Sequence, residues 1–296
     1  MEVLLAKEAG FCFGVRRALK LAERTLAKHL KAFSFGPLIH NPQVVERLKA
    51  MGLEPVDDLS EISEGPVVIR SHGARKEVIQ QLKERGIEVV DATCPKVKRV
   101  QRLAQTASRR GYFVMIVGER DHAEVQGIMS YAEGETAVVD SAEEIPGSVR
   151  GKKVAVLCQT TQEPEKVGCI LKELFGMVTE MLVYNTLCEV TLQRQREALR
   201  LSSQVDCMVV VGGRKSANTR RLVEMCRRIQ PRTLHIEGPE ELREEFFRGA
   251  KRVGITAGAS TPPELIEAVY RTLVTGDFCG IKSQRIIWGE RDGSKP

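Results

Sequence analysis

Three segments of this chain repeat one another, and a threefold repeat limits the fold more tightly than composition can. One surrounds Cys12 (EVLLAKEAGFCFGVRRALKLAERT), one Cys94 (IEVVDATCPKVKRVQRLAQTAS) and one Cys188 (MLVYNTLCEVTLQRQREALRLS). Each passes from an apolar, strand-like run through a small or polar break to the cysteine, then into an Arg/Lys/Gln-rich stretch of helical character. Ala22, Ala104 and Ala198 each follow their cysteine by ten residues. Other features keep step. FSFGPLIHN, YFVMIVGERDH and DCMVVVGGRKSAN end in polar loops around His40, His122 and Ser216; VVIRSHGA, KVAVLCQTT and RVGITAGAS end around His72, Thr160 and Ser260. Cys12 to Cys94 and His40 to His122 both span 82 residues, while Cys94 to Cys188 and His122 to Ser216 both span 94.

The pattern predicts an α/β protein of three similar four-stranded units: residues 14–94, residues 95–188, and residues 189–281 completed by the N-terminal strand in 1–13. Strands alternating with amphipathic helices imply βαβ crossovers and mainly parallel sheets. Ligands of such sheets sit beyond the carboxyl ends of the strands. Each unit therefore places two polar loops and one cysteine on one edge. Three units about a pseudo-threefold axis would gather the cysteines at the centre, around a metal cluster.

Composition narrows the class. Apolar residues are 42% and charged residues 28%, the balance of an ordinary globular chain rather than a disordered one. The longest apolar runs fall far short of the ~20 residues that span a bilayer. MEVLLAKEAGF has an acid at its second residue and no basic start, which reads as no signal peptide and a cytoplasmic protein. Lys and Arg number 45 against 39 Asp and Glu, a net of +6 that reads as a solvated surface and no nucleic-acid footprint. The eight cysteines (12, 94, 158, 169, 188, 207, 226 and 279) are expected as free thiols or metal ligands, and none are spaced C-x-x-C.

Three converging thiolates without a fourth describe a metal centre with an open position. In an iron–sulfur cluster three cysteines leave one iron able to bind substrate, and soft thiolates favour iron–sulfur or zinc over magnesium or calcium. A lone cysteine reads as core, and so Cys158, Cys207, Cys169 and Cys226 are assigned to packing, with Cys279 having no stronger claim. Of five histidines, His40, His72 and His122 fall in matching loops, whereas His29 and His235 read as structural or solvated. Asn41, Thr160, Ser216, Asn218 and Ser260 stand where helices should begin, as N-caps or as donors to an anion such as phosphate. Glu124 is the single carboxylate in this set and a candidate proton donor. No nucleotide-binding glycine motif occurs.

GFCFGV, the His-Asn of GPLIHN, SHGA, DATCPKV, DHAEV, QTT, NTLC with its later RQ, KSAN and GITAGAS stand in the order found in the 4-hydroxy-3-methylbut-2-enyl diphosphate reductase (IspH/LytB) family, which the chain resembles over about residues 1–281. The resemblance implies reductive dehydroxylation of that allylic diphosphate to isopentenyl and dimethylallyl diphosphate, the last step of the non-mevalonate isoprenoid pathway. It implies one [4Fe–4S] cluster on Cys12, Cys94 and Cys188 with one open iron, fed by a ferredoxin or flavodoxin. It implies diphosphate contacts from His40, His72, His122, Ser216, Asn218 and Ser260. Thr160 and Glu124 would lie beside the substrate hydroxyl, with Glu124 in the proton relay. Two positions depart from the pattern: Ala123 stands where Pro is usual, and Ala217 where a hydroxyl is usual. Residues 282–296 match nothing in the family and read as a variable tail. Two other readings use the same residues differently: a zinc-dependent phosphohydrolase, and a binding module for RNA or an acidic partner resting on runs such as Lys96-Val97-Lys98-Arg99.

Overall fold

The computed structural model describes residues 1–278, so Cys279 and the tail at 282–296 lie outside the described residues. The chain divides into two compact units, residues 12–192, and residues 1–11 with the chain from 193 onward. The N-terminal strand β1 (Glu2–Leu5) belongs to the latter.

The unit at 12–192 opens with helix α1 (Phe13–Leu26). It continues as β2 (Ala32–Phe35), α2 (Pro42–Ala50), β3 (Leu53–Val56), β4 (Val67–Ile69), α3 (Lys76–Glu84) and β5 (Val89–Asp91). These strands form a sheet in the order β3-β2-β4-β5. Next come α4 (Pro95–Arg109), β6 (Phe113–Val117), α5 (Ala123–Tyr131), β7 (Thr136–Val139), β8 (Lys153–Cys158), α6 (Pro164–Phe175) and β9 (Glu180–Val183), with sheet order β7-β6-β8-β9. Helix α7 (Glu189–Ser202) leads into the other unit, where β10 (Cys207–Val211), α8 (Ala217–Ile229), β11 (Thr233–Ile236), β12 (Arg252–Ala257) and α9 (Pro263–Thr275) follow. Its sheet runs β1-β12-β10-β11. In all three sheets the second strand lies outermost beside the first, then come the third and the fourth. The N-terminal strand β1 fills the fourth place beside β12, with Leu4 opposite Gly254.

Every strand pairing is parallel. Parallel neighbours need crossover helices that cover both faces, so central strands are apolar throughout instead of alternating. FVMIV in β6 and CMVVV in β10 are buried at every residue. On one face of the β6 sheet, Val114, Ile116 and Leu157 pack with Val100 and Ala104 of α4 and Val125 and Ile128 of α5. On the other face, Met115, Val117 and Cys158 meet Val167, Ile170 and Leu174 of α6. Cys207 and Cys226 are likewise buried. Cys169 departs from the core expectation and is exposed. The buried stripe of α6 is Val167, Ile170 and Leu174, and at helical spacing position 169 falls off that stripe. Among the described residues no helix is long and apolar enough to cross a membrane.

Leu157→Ala deletes a side chain with 0% exposure near the carboxyl end of β8. It should cost ~2–5 kcal/mol in urea-induced unfolding. Lys153→Ala, at the exposed start of the same strand and ion-paired to Glu180 at 2.8 Å, should leave the unfolding midpoint close to that of the wild type. Equal losses would mean that β8 is not the packed centre of its sheet.

Candidate active site

Because the strands are parallel, the predicted residues leave each sheet at one edge. His40 follows β2, His72 follows β4 and Cys94 follows β5; His122 follows β6, Thr160 follows β8 and Cys188 follows β9. In the other unit Ser216 follows β10, Ser260 follows β12, and the chain beyond β1 leads to Cys12. Cys12, Cys94, Cys188, His40, His72, His122, Glu124 and Thr160 thus belong to the unit at 12–192, while Ser216, Asn218 and Ser260 belong to the other.

Each of the three cysteines opens a helix. Cys12 and Cys94 occupy the N-cap positions of α1 and α4, and the Cys188 carbonyl accepts the N–H of Leu192 at 2.9 Å as α7 begins. All three are half-buried free thiols. Burial pushes the Cys94 thiol above its ordinary range; the N–H groups of Lys96 and Val97 at the helix start oppose this, and the nearby Cys12 and Cys188 add to it. A thiol whose ionisation is opposed by burial and by two neighbouring thiols is a donor that a cation relieves, since metal binding takes the thiolate form. Gly14 makes room for them. A Cβ there would stand 2.7 Å from Cys94 Sγ and 3.8 Å from Cys12 Sγ. Cys158, by contrast, is buried among apolar residues with its thiol pushed up to about 12, chiefly by that burial, and serves as core.

The histidine rings also converge. His40 lies 4.4 Å from His72 and 5.9 Å from His122 between ring centroids, and His72 lies 5.4 Å from His122. Their ligand nitrogens fall within 4.8 Å of one another, a spacing that a metal would accept. The hydrogen bonding of His122 favours an anion instead. Its Nδ1 caps α5 by accepting the Glu124 N–H at 3.1 Å, so the neutral ring carries its hydrogen on Nε2. That N–H suits an oxyanion. Burial holds His72 well below the usual imidazole range, and His40, His122 and Arg70 lower it further. Its buried Nδ1 has no hydrogen-bond partner among the described residues. Ala123 takes the first helical position of α5, where a proline would fit, and His122 and Glu124 keep their places on either side.

Glu124 is 2% exposed. Its Oε1 accepts the Thr160 N–H at 2.6 Å and its Oε2 accepts the Thr160 hydroxyl at 3.0 Å. The Thr160 carbonyl accepts the N–H of Cys188 at 2.9 Å. A single residue therefore joins the buried acid to a cysteine of the thiol set. Beside it, Gln159 accepts the Glu119 N–H at 3.0 Å through Oε1, while its buried Nε2 has no partner among the described residues.

In the other unit, Ser216 caps α8 by accepting the Thr219 N–H at 3.3 Å. Asn218 does not cap. Both polar atoms of its side chain are buried without a partner among the described residues, the state of a group that awaits a ligand. Ser260 is 6% exposed, and the neighbouring Thr261 hydroxyl donates to the Val211 carbonyl at 2.9 Å. Gly212, at φ +147°, and Gly258 admit this cluster: a Cβ on Gly212 would meet Thr261 Oγ1 at 2.6 Å, and one on Gly258 would overlap Thr219 Oγ1. Asn41, in the 12–192 unit, is an N-cap, accepting the Val44 N–H at 3.1 Å.

Sequence reasoning missed Arg70, Gln159, Thr219, Thr261 and the close-packed Gly14. The adjacent motifs SHGA, QTT, KSAN, GITAGAS and GFCFGV were visible, but not which of their members touch.

Residues 3–274 match the family model described as LytB protein. Relatives named 4-hydroxy-3-methylbut-2-enyl diphosphate reductase include one from Geobacter sulfurreducens, 50% identical over 92% of this chain and 97% of its own length. Another, from Geobacter metallireducens, is 47% identical over the same shares. A solved structure of (E)-4-hydroxy-3-methyl-but-2-enyl diphosphate reductase, the terminal enzyme of the non-mevalonate pathway, is 44% identical with a TM-score of 0.70, covering 93% of this chain and 100% of its own. The E-1-hydroxy-2-methyl-but-2-enyl-4-diphosphate reductase of Plasmodium falciparum, at 24% identity, shares the fold with a TM-score of 0.85 over 94% and 89% of the two chains.

Gly14→Ala drives a methyl group against Cys94 Sγ. After anaerobic reconstitution with iron and sulfide, this variant should bind clearly less metal per chain than the wild type, and Cys169→Ala should bind as much as the wild type. Full loading of Gly14→Ala would show that the glycine serves only the start of the helix.

Proposed function

The chain belongs to the LytB protein family, and on that footing we propose how its residues remove the allylic hydroxyl of 4-hydroxy-3-methylbut-2-enyl diphosphate to give isopentenyl and dimethylallyl diphosphate. The observation that carries this reading is the convergence of the Cys12, Cys94 and Cys188 thiols, each at the same place in its repeat. These residues would hold a [4Fe–4S] cluster, which when bound supplies electrons singly and a Lewis-acidic iron. The unit boundaries 14–94, 95–188, and 189–281 with 1–13 belong to the same proposal, as does the cytoplasm as the working compartment. A ferredoxin or flavodoxin would supply the electrons.

The chain's own residues bind the substrate and move protons. His40, His72 and His122 offer N–H donors to the diphosphate, and the neutral state of His72 keeps the empty pocket from accumulating repelling charge. Ser216, Asn218 and Ser260 are further diphosphate donors. Asn218 is the best supported of these, because both its polar atoms are buried and unsatisfied. Thr160 donates its hydroxyl hydrogen to Glu124 Oε2, which leaves its oxygen free to accept from the substrate hydroxyl. With Glu124 protonated, reversing that pair of hydrogen bonds passes a proton from Glu124 through Thr160 Oγ1 to the departing oxygen, which leaves as water.

Anaerobic purification tests the whole reading: the protein should be brown, with iron and sulfide near four each per chain and turnover of the diphosphate with a chemical reductant. Colourless protein holding zinc would overturn it. Cys12→Ser, Cys94→Ser or Cys188→Ser should lose iron, whereas Cys158→Ala should keep it.

Two variants separate proton delivery from binding. Glu124→Gln keeps an acceptor for the Thr160 N–H but has no proton to give. Single-turnover reduction should fall by ~10²–10⁴-fold with substrate binding retained. Asn218→Ala removes contacts to a group that does not react, so its KM should rise with kcat largely kept. A Glu124→Gln enzyme that retains most of its single-turnover rate would leave Glu124 as a capping partner of Thr160 only.

A further inference from the structure

We infer that the exposed faces of α1 and α4 form the docking surface for an acidic one-electron carrier protein; this deepens the reading above and rests on it. Helix α4 carries Lys96, Lys98, Arg99, Arg102 and Arg109 with no acid, and α1 carries Arg16, Arg17, Lys20 and Arg24 against Glu23 alone. Nine cations against one acid give these two helices a net +8, more than the +6 of the entire chain. The remaining residues are together slightly acidic, so the charge is concentrated here and not spread over a solvated surface.

The two helices meet at their N-terminal ends. Gly14 of α1 lies against Cys94, and Arg17 donates to the carbonyls of Thr93 at 3.1 Å and Asp91 at 3.4 Å. Arg17, Lys98 (2.6 Å from Asp91) and Arg109 (2.8 Å from Glu133) are engaged within the fold. Lys20, Lys96, Arg99 and Arg102 are exposed. Lys96, Arg99 and Arg102 share one outer face of α4 with Pro95, Leu103 and Thr106. Neither helix has an acid in its first turn. Cations at a helix N-terminus oppose the macrodipole, so folding alone does not favour this placement.

What sits at those N-termini explains it. The N-caps of the two helices are Cys12 and Cys94, two of the three thiols assigned to the cluster, and Phe13 beside Cys12 is 61% exposed. Removing the hydroxyl takes two electrons and two protons: the C–O bond breaks, a C–H bond forms and water leaves. Two carrier molecules are each oxidised by one electron. A carrier must bring its own redox centre close to the cluster cysteines and then leave for the next. A cationic rim around an apolar contact suits such a brief encounter, speeding association with an acidic partner. A nucleic acid would meet the same charge but has no reason to meet it at Cys12 and Cys94.

The test compares two reductants on the reconstituted enzyme, a reduced acidic [2Fe–2S] ferredoxin and dithionite-reduced methyl viologen. The triple variant Lys96→Glu, Arg99→Glu, Arg102→Glu should raise the KM for ferredoxin about tenfold or more and flatten its dependence on salt. Iron content and the viologen-driven rate should be unchanged. Lys20→Glu, on the other helix, should raise the ferredoxin KM in the same sense, and Lys172→Glu on α6 should not. An unchanged ferredoxin KM in the triple variant overturns the proposal. So does a parallel fall with viologen, which would mean that the cations tune the cluster. Salt-sensitive RNA binding lost in the triple variant while ferredoxin kinetics hold would overturn it in favour of a nucleic acid. A wild-type enzyme that turns over with neither reductant would sink the reductase reading and the docking surface together. The docking surface fails alone when the wild type is active and the triple variant matches it with ferredoxin.

Discussion

Parallel pairing is the constraint on which the rest depends. Strands that run the same way end at the same edge, and each must be followed by a crossover that starts there. The β3-β2-β4-β5 sheet therefore presents the loops of His40 and His72 and the Cys94 turn side by side. The β7-β6-β8-β9 sheet does the same with His122, Thr160 and Cys188. Helices begin where strands end, so the cysteines inherit N-cap positions and the backbone N–H groups that go with them. The same rule explains why β6 and β10 are apolar at every residue: sheets covered on both faces leave no wet side to alternate toward.

Electrostatics then sorts the edge into two kinds of site. Cys94 is held toward the thiol by burial and by neighbouring thiols, so the set gains from a cation. His72 is held neutral by burial and by the other two rings and Arg70, so that set gains from an anion. His122 settles the sign of its own cluster. By accepting the Glu124 N–H it turns its remaining nitrogen into a donor. An arriving diphosphate would reverse the field at His72 and favour its protonation.

The sheets and the three cysteines were legible because a repeat writes the same strand-end position three times, at spacings of 82 and 94 residues. The histidine loops followed from the same register. Contacts between loops were not legible, since they join residues that are local neighbours in no copy. Thr160 reaches Glu124 across 36 positions, and Gly14 meets Cys94 across 80. Thr219, Thr261 and the glycines that admit them sit inside motifs whose other members drew attention first. Asn41, Ser216 and Asn218 looked alike as helix-start residues, yet the first two cap and the third keeps its buried amide unsatisfied. Only atomic positions separate those cases. Cys169 shows the limit of residue type as a guide: cysteine is a common core residue, but α6 buries Val167, Ile170 and Leu174 and leaves 169 outside.

The peptide of Thr160 carries a further consequence. Its N–H is committed to Glu124 and its carbonyl to Cys188, which fixes the backbone, while its hydroxyl donates to Glu124 and keeps lone pairs for the substrate. An acid on an independent loop could drift by an ångström, and such drift is costly for a proton that must arrive in line with a breaking bond. Here the acid is 2% exposed and anchored to Thr160 beyond β8, whose carbonyl holds the N–H of Cys188 beyond β9. The groups proposed to deliver protons and electrons are thus tied together by the hydrogen bond that joins the turns beyond β8 and β9. Their spacing is set when the sheet folds, before any substrate arrives, which is the preorganisation that lets fixed dipoles and donors act without reorganising during the reaction.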